Sequence, residues 1–114
     1  MNGQDLFPAP PAPASVVHLL ERRLALTAGV AALTARMQRL IRETSGIEME
    51  VLRLEIALGA APGDGELARE LQEVLEKETA LRSAQLDCLQ ETVAAEDAIA
   101  EVDRLIAVSN GGQT

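Results

Sequence analysis

Aromatic side chains are nearly missing from this sequence, since Phe7 is the single aromatic among 114 residues and tryptophan and tyrosine are absent. A compact globular core normally uses several large rings. The apolar content is nevertheless ordinary, at 47%, and consists of aliphatic residues. No pair of strand-like segments flanks a hairpin turn. The composition therefore favours an all-α protein of the coiled-coil or helical-bundle type.

Histidine and cysteine are equally scarce, with one residue of each, His18 and Cys88. One histidine cannot build a histidine-based metal cluster, and one cysteine cannot form an intramolecular disulfide. No glycine-rich phosphate loop follows a strand. We therefore expect no catalytic residues, no metal, no cofactor and no small-molecule substrate, so the chain is not expected to be an enzyme. Cys88 is interpreted as a small apolar core residue.

Positive charge is also in short supply, because the formal net charge is −8. Nucleic acids and anionic membranes both require lysine and arginine to neutralise phosphates, so neither is an expected partner. Residues 24–35 are uncharged and follow Arg22 and Arg23, which resembles part of a signal peptide. However, the segment is too short to span a bilayer, and it keeps the periodicity of the residues after it. We expect a cytoplasmic protein.

Apolar residues recur at alternating steps of three and four, which is typical of helices packed along their length. The first seam is Val16, Leu19, Arg23, Leu26, Val30, Leu33, Met37, Leu40, Thr44, Ile47, Val51, Leu54 and Leu58. The second seam is Leu67, Leu71, Val74, Glu78, Leu81, Gln85, Cys88, Thr92, Ala95, Ile99, Val102 and Ile106. These residues occupy the a and d positions of two heptad patterns, in which the seven positions of each repeat are lettered a to g.

Residues that break or cap helices divide the chain into a tail, two helices and a turn. Residues 1–14 are rich in proline and alanine and predict a flexible tail, in which the PxxP spacing of 8–11 is also compatible with a docking motif. A first helix is expected over about 15–58 with Ser15 as N-cap, and a turn over about 59–65 with Gly59 as C-cap. A second helix follows over about 65–108 with Asp64 as N-cap. Residues 109–114 are expected to fray.

A short turn between helices of similar length predicts a long antiparallel two-helix hairpin. The seams then face each other with Leu58 opposite Leu67 and Leu40 opposite Gln85. In this register Arg36 meets Glu91, Glu50 meets Lys77, and Gly29 meets Ala98. A three-helix bundle broken at Ser45-Gly46 is the alternative fold. A parallel homodimer is disfavoured because like charges would meet across its seam.

One seam gives a thin core for a stable monomer, and apolar residues also occupy b and e positions on one side of the hairpin. The opposite side, made of c and g positions, is mostly charged and is expected to be solvated. We expect the apolar side to bind a protein partner or a second copy, because large exposed apolar patches are usually interfaces. The partner-binding candidates are Leu20, Leu24, Ile41, Leu52, Leu75, Leu86, Leu89 and Val93.

The sequence therefore predicts a non-enzymatic protein–protein interaction module, such as a chaperone, an adaptor or a small subunit of a larger assembly. Two alternatives remain open. One is a self-assembling structural homodimer, a four-helix bundle. The weaker one is a small acidic inhibitor or regulator, since residues 43–82 contain ten acidic and four basic side chains.

Overall fold

The computed structural model describes residues 15–111, which form an antiparallel hairpin of two α-helices. Helix α1 is Val16–Ala60 and helix α2 is Gly65–Gly111. The described residues contain no strand. The predicted proline-rich tail over 1–14 and the last three residues lie outside the described part. Ser109, Asn110 and Gly111 continue α2 beyond the expected end at Val108.

Side-chain caps begin both helices. The Ser15 Oγ accepts a hydrogen bond from the backbone N–H of His18 at 3.2 Å. The Asp64 Oδ1 accepts from the N–H groups of Glu66 and Leu67 at 3.0 and 3.2 Å. Each cap satisfies N–H groups that have no partner within the helix. Ser15 and Asp64 are thus the capping residues that the sequence predicts.

The connection between the helices is a tight turn over 61–64. The N–H of Asp64 donates to the carbonyl oxygen of Ala61 at 3.0 Å, and Pro62 supplies the fixed φ of the second turn residue. No glycine among the described residues has a positive φ. The prediction that Gly59 is the C-cap of α1 is wrong, because α1 continues to Ala60. The N–H of Ala61 closes this end by donating to the carbonyls of Ala57 and Leu58.

Helix α1 passes through Ser45 and Gly46 without interruption, so the three-helix alternative is wrong. The cost of glycine in a helix is about 1 kcal/mol relative to alanine. Interrupting the helix would cost more free energy, because the seam residues on either side of Gly46 would lose their packing. Of these, Thr44 is buried and Ile47 is half-buried. In the hairpin the seam of α1 packs against the seam of α2 of the same chain, in contrast to the rival parallel arrangement in which identical helices pair.

The hairpin divides into two compact units. The turn unit comprises residues 32–92, and the terminal unit is described over residues 15–31 and 93–111. In both units every predicted seam residue is buried or half-buried. Full burial is rare, however. In the turn unit it is limited to Thr44, Leu54 and Cys88, and in the terminal unit to Leu19 and Val102.

A polar layer crosses the core of the turn unit. The Gln85 Nε2 donates to the Thr44 Oγ1 at 2.6 Å and to the Leu40 carbonyl at 3.5 Å. The Thr44 hydroxyl in turn donates to the same carbonyl at 2.7 Å. The predicted apposition of Leu40 and Gln85 is confirmed. Because a shifted register would separate the amide from its acceptors, this layer favours a single alignment of the two helices.

We expect Thr44→Val to lower the free energy of unfolding by about 1–2 kcal/mol, because it removes an acceptor from the half-buried Gln85 amide. Gln85→Leu alone should cost less, because the Thr44 hydroxyl still donates to the Leu40 carbonyl. The double variant should lose little, because both polar groups are gone. Urea denaturation of the four proteins at equal concentration gives the coupling energy. Additive losses would contradict a shared polar layer.

Candidate interaction surface

The lateral face of the turn unit is the side on which the e positions of both helices meet. Its position is fixed by an interhelix ion pair, in which the Arg82 guanidinium lies 3.0 Å from the Glu48 carboxylate. Ile41 precedes Glu48 by one heptad, and Leu89 follows Arg82 by one heptad. In an antiparallel pair these two residues therefore also lie opposite each other.

Apolar side chains lie on either side of this ion pair. Ile41, Leu86 and Leu89 form the group farther from the turn, and Leu52 and Leu75 form the group nearer to it. Ile41 is 49% exposed and Leu89 is 52% exposed. Leu52 and Leu86 are exposed to a similar extent, whereas Leu75 is half-buried. The lateral face thus has two apolar patches with a charged pair between them, an interruption that the heptad pattern of apolar residues does not predict.

The three other predicted partner-binding residues, Leu20, Leu24 and Val93, belong to the terminal unit. All three are exposed. Arg23, a seam residue of the same unit, forms a two-point ion pair with Asp103 on α2, with distances of 2.6 and 3.5 Å. The hydrogen bonds to Asp103 raise the pKa of Arg23 above its usual value. A seam arginine paired in this way lets a charge occupy a core position while its head group stays in solvent.

The opposite side of the turn unit has a different character. The predicted pair of Arg36 and Glu91 is confirmed at 3.5 Å. Between Gly46, which has no side chain, and the small Ala80, an open groove of about 490 Å³ exposes part of Ile47 and Leu81. Glu43 and Lys77 also line this groove. The side expected to be fully solvated therefore contains a shallow apolar strip, separate from the lateral face.

One of the predicted side-chain contacts is wrong. Glu50 does not pair with Lys77, because its carboxylate pairs with Arg53 one turn further along the same helix, at 2.5 and 3.0 Å. These hydrogen bonds hold the pKa of Glu50 below its usual value. Glycine is not needed at position 29 for the helices to pack, because a Cβ built on Gly29 meets no atom within 4 Å.

Local pairs of this kind recur on α2. The Glu101 carboxylate pairs with Arg104, and the hydrogen bonds from the guanidinium lower the pKa of Glu101. Such exposed pairs at a spacing of three residues contribute little to helix stability, because water and salt screen them. They hold charge at the helix surface and do not by themselves form a site.

The potential metal ligands of the described residues do not cluster. No group of three or more histidine, cysteine or carboxylate side chains within 15–111 has the geometry to hold a metal ion. The Cys88 thiol is fully buried, and its Sγ donates to the Leu33 carbonyl across the core at 3.3 Å. Over the same residues neither helix contains a stretch apolar enough to cross a bilayer.

Comparison with known proteins adds no relative to this description. Neither a protein-family model, nor a curated sequence, nor a solved structure matches the chain. A proposal about the function of this chain therefore rests on the surface chemistry of the hairpin.

Proposed function

We propose that this chain is a non-enzymatic protein–protein interaction module that binds its partner through the lateral face. The observation that supports the proposal is the exposure of large aliphatic side chains beside a core in which only a few residues are fully buried. Ile41, Leu52, Leu86 and Leu89 each leave about half of their surface in water. Covering a side chain of this size contributes on the order of 1 kcal/mol or more for the half that remains exposed.

The arrangement of these residues supports binding by a helical partner. Their spacing follows the heptad pattern, so the two rows of the face border a furrow parallel to the helices. A further amphipathic helix laid along this furrow would pack as helices do in three- and four-helix bundles. An adaptor, a chaperone or a small subunit of a larger assembly would each use the hairpin in this way.

Leu89→Glu tests the proposal, with Met49→Glu as the matched control. Leu89 belongs to the lateral face, whereas Met49 is an exposed residue of the same unit that points away from both seam and face. We expect Leu89→Glu to weaken partner binding about 100-fold or more, because the new carboxylate would be buried without a partner charge. Met49→Glu should leave binding unchanged, and circular dichroism should show equal helicity in all three proteins.

The measurement is co-purification with the tagged chain from its native host, followed by titration of the recovered protein against each variant. The recovered protein is either a different chain or an untagged copy of this one. Equal binding by Leu89→Glu and the unmodified chain would contradict a role for the lateral face.

A further inference from the structure

We infer that the occupant of the lateral face is a second copy of this chain, related by a two-fold axis that runs parallel to the helices. The inference rests on the proposed function and names the partner of the same surface. It is carried by the charge pattern of the turn unit, where the Glu48 carboxylate and the Arg82 guanidinium lie side by side on neighbouring helices, 3.0 Å apart. A face with one acid and one base placed side by side can be complementary to itself.

Symmetry decides how that complementarity is used. A two-fold axis parallel to the helices lays α1 of one copy against α2 of the other at the same height. Glu48 then faces Arg82 of the second copy, and Ile41 faces Leu89. Charges of opposite sign meet, and apolar residues meet apolar residues, at both positions and in both halves of the interface.

The other two-fold arrangement is less favourable. An axis perpendicular to the helices at the level of this ion pair would place Glu48 against its own copy and Arg82 against its own copy. It would also place Ile41 against Glu55, one heptad beyond Glu48. Like charges and a carboxylate on an apolar residue both oppose association. The parallel-axis arrangement also sets Glu55 against an apolar residue, Leu75, near the turn. The two arrangements therefore differ in the like charges, since no two like charges of the e rows meet when the axis is parallel to the helices.

Each copy keeps its own ion pair, so association assembles two acids and two bases into one network. Arg82 is 59% exposed at its side chain and also lies 3.6 Å from Glu78. It therefore has donors to spare for a second carboxylate, since a guanidinium carries five N–H groups. The apolar residues on either side of the network would exclude water from it and strengthen its interactions.

Charge reversal followed by mixing tests this pairing. Glu48→Arg and Arg82→Glu each place like charges across the interface, and we expect each variant alone to dimerise with a Kd about tenfold higher than the unmodified chain. In an equimolar mixture the arginine introduced at position 48 faces the glutamate introduced at position 82. The mixed dimer should therefore recover tight association, although neither copy retains its internal pair.

Recovery in the mixture is the informative result, because a pair that acts only within one copy would stay broken in the mixed dimer. Native mass spectrometry distinguishes the mixed dimer from both homodimers, and sedimentation gives the Kd values. A preference for mixed dimers supports the proposal. Statistical mixing overturns the pairing, and a monomer up to submillimolar concentration overturns self-association altogether. If that monomer still bound a host protein in a Leu89-dependent manner, the proposed function would stand without this inference.

Orientation is tested at the turn. Gly63→Cys in the Cys88→Ala background gives one spin-label site per chain. With the axis parallel to the helices the two turns lie at the same end, and we expect a label separation of about 20 Å. With the perpendicular axis each turn lies 15 residues from the centre, which gives about 45 Å at 1.5 Å per residue. A long distance would overturn the proposed symmetry.

Discussion

Leu54→Ala should lower the free energy of unfolding by about 3 kcal/mol. Leu54 has no surface in contact with solvent, and truncating a buried leucine costs about 2–5 kcal/mol because transfer energy is lost and a cavity remains. The loss should be severe for this protein, because few other residues of the turn unit are fully buried. The effect lies in the packing between the helices, since alanine is the better helix former.

Ile56→Ala is the matched control. Ile56 lies two residues further along α1 and is 67% exposed, at a position that belongs neither to the seam nor to the lateral face. We expect it to cost less than about 1 kcal/mol, because little apolar area returns to water. Urea denaturation followed by circular dichroism measures both variants. Equal losses would mean that the seam does not form the core.

Gly46 should respond in opposite directions to alanine and to proline. Gly46→Ala should raise the free energy of unfolding by about 1 kcal/mol, because alanine is the stronger helix former and its Cβ meets no atom within 4 Å. Gly46→Pro should lower it by about 3 kcal/mol or more, because proline removes a helix hydrogen bond and clashes with the preceding turn. The pair of variants therefore spans about 4 kcal/mol at one position.

The same two variants test the continuity of α1. If the chain were broken at Ser45-Gly46, proline would be tolerated there and alanine would bring no gain. Gly29→Ala is a suitable reference, because Gly29 is also helical and exposed with open space around it, and it should gain a similar amount. Thermal unfolding of the three variants gives the comparison. A stabilising effect of Gly46→Pro would contradict an unbroken helix.

The fold could be predicted from the sequence because the spacing of the apolar residues determines how the helices pack. Steps of three and four residues fix which side of each helix is covered, and the residues between Leu58 and Leu67 allow only a reversal of direction. Once the chain reverses, the turn sets the register. Arg36 and Glu91 then come together without further information, as the ion pair between them shows.

Individual side-chain partners could not be predicted in the same way. Two cations lie within reach of Glu50, Lys77 across the hairpin and Arg53 on the same helix. The carboxylate pairs with Arg53, because a bidentate pair within one helix does not depend on how the two helices are aligned. The pairing of facing seam positions does not predict the Thr44–Gln85 contact, because it joins adjacent layers of the core, and the sequence places Gln85 opposite Leu40. Helix ends shift by two or three residues because glycine, serine and asparagine weaken a helix without stopping it.

The candidate surface is predictable only in part. Seam periodicity places Ile41, Leu86 and Leu89 outside the core, and the structure agrees that they are exposed. The Glu48–Arg82 bridge between the two apolar patches depends on the orientation of two long side chains at adjacent layers. This ion pair places an acid on one helix and a base on the other, so the lateral face favours the docking symmetry in which opposite charges meet.

The burial of Cys88 has a kinetic consequence. Its Sγ lies between the helices and is bonded to the Leu33 carbonyl, so a thiol reagent can reach it only when the turn unit opens. As the one cysteine of the chain, it reports that opening without any engineered label. At high reagent concentration the rate of modification becomes the rate of opening itself, and at low concentration it gives the fraction of open molecules. The rate at which Cys88 is modified thus measures how often the core of the turn unit opens.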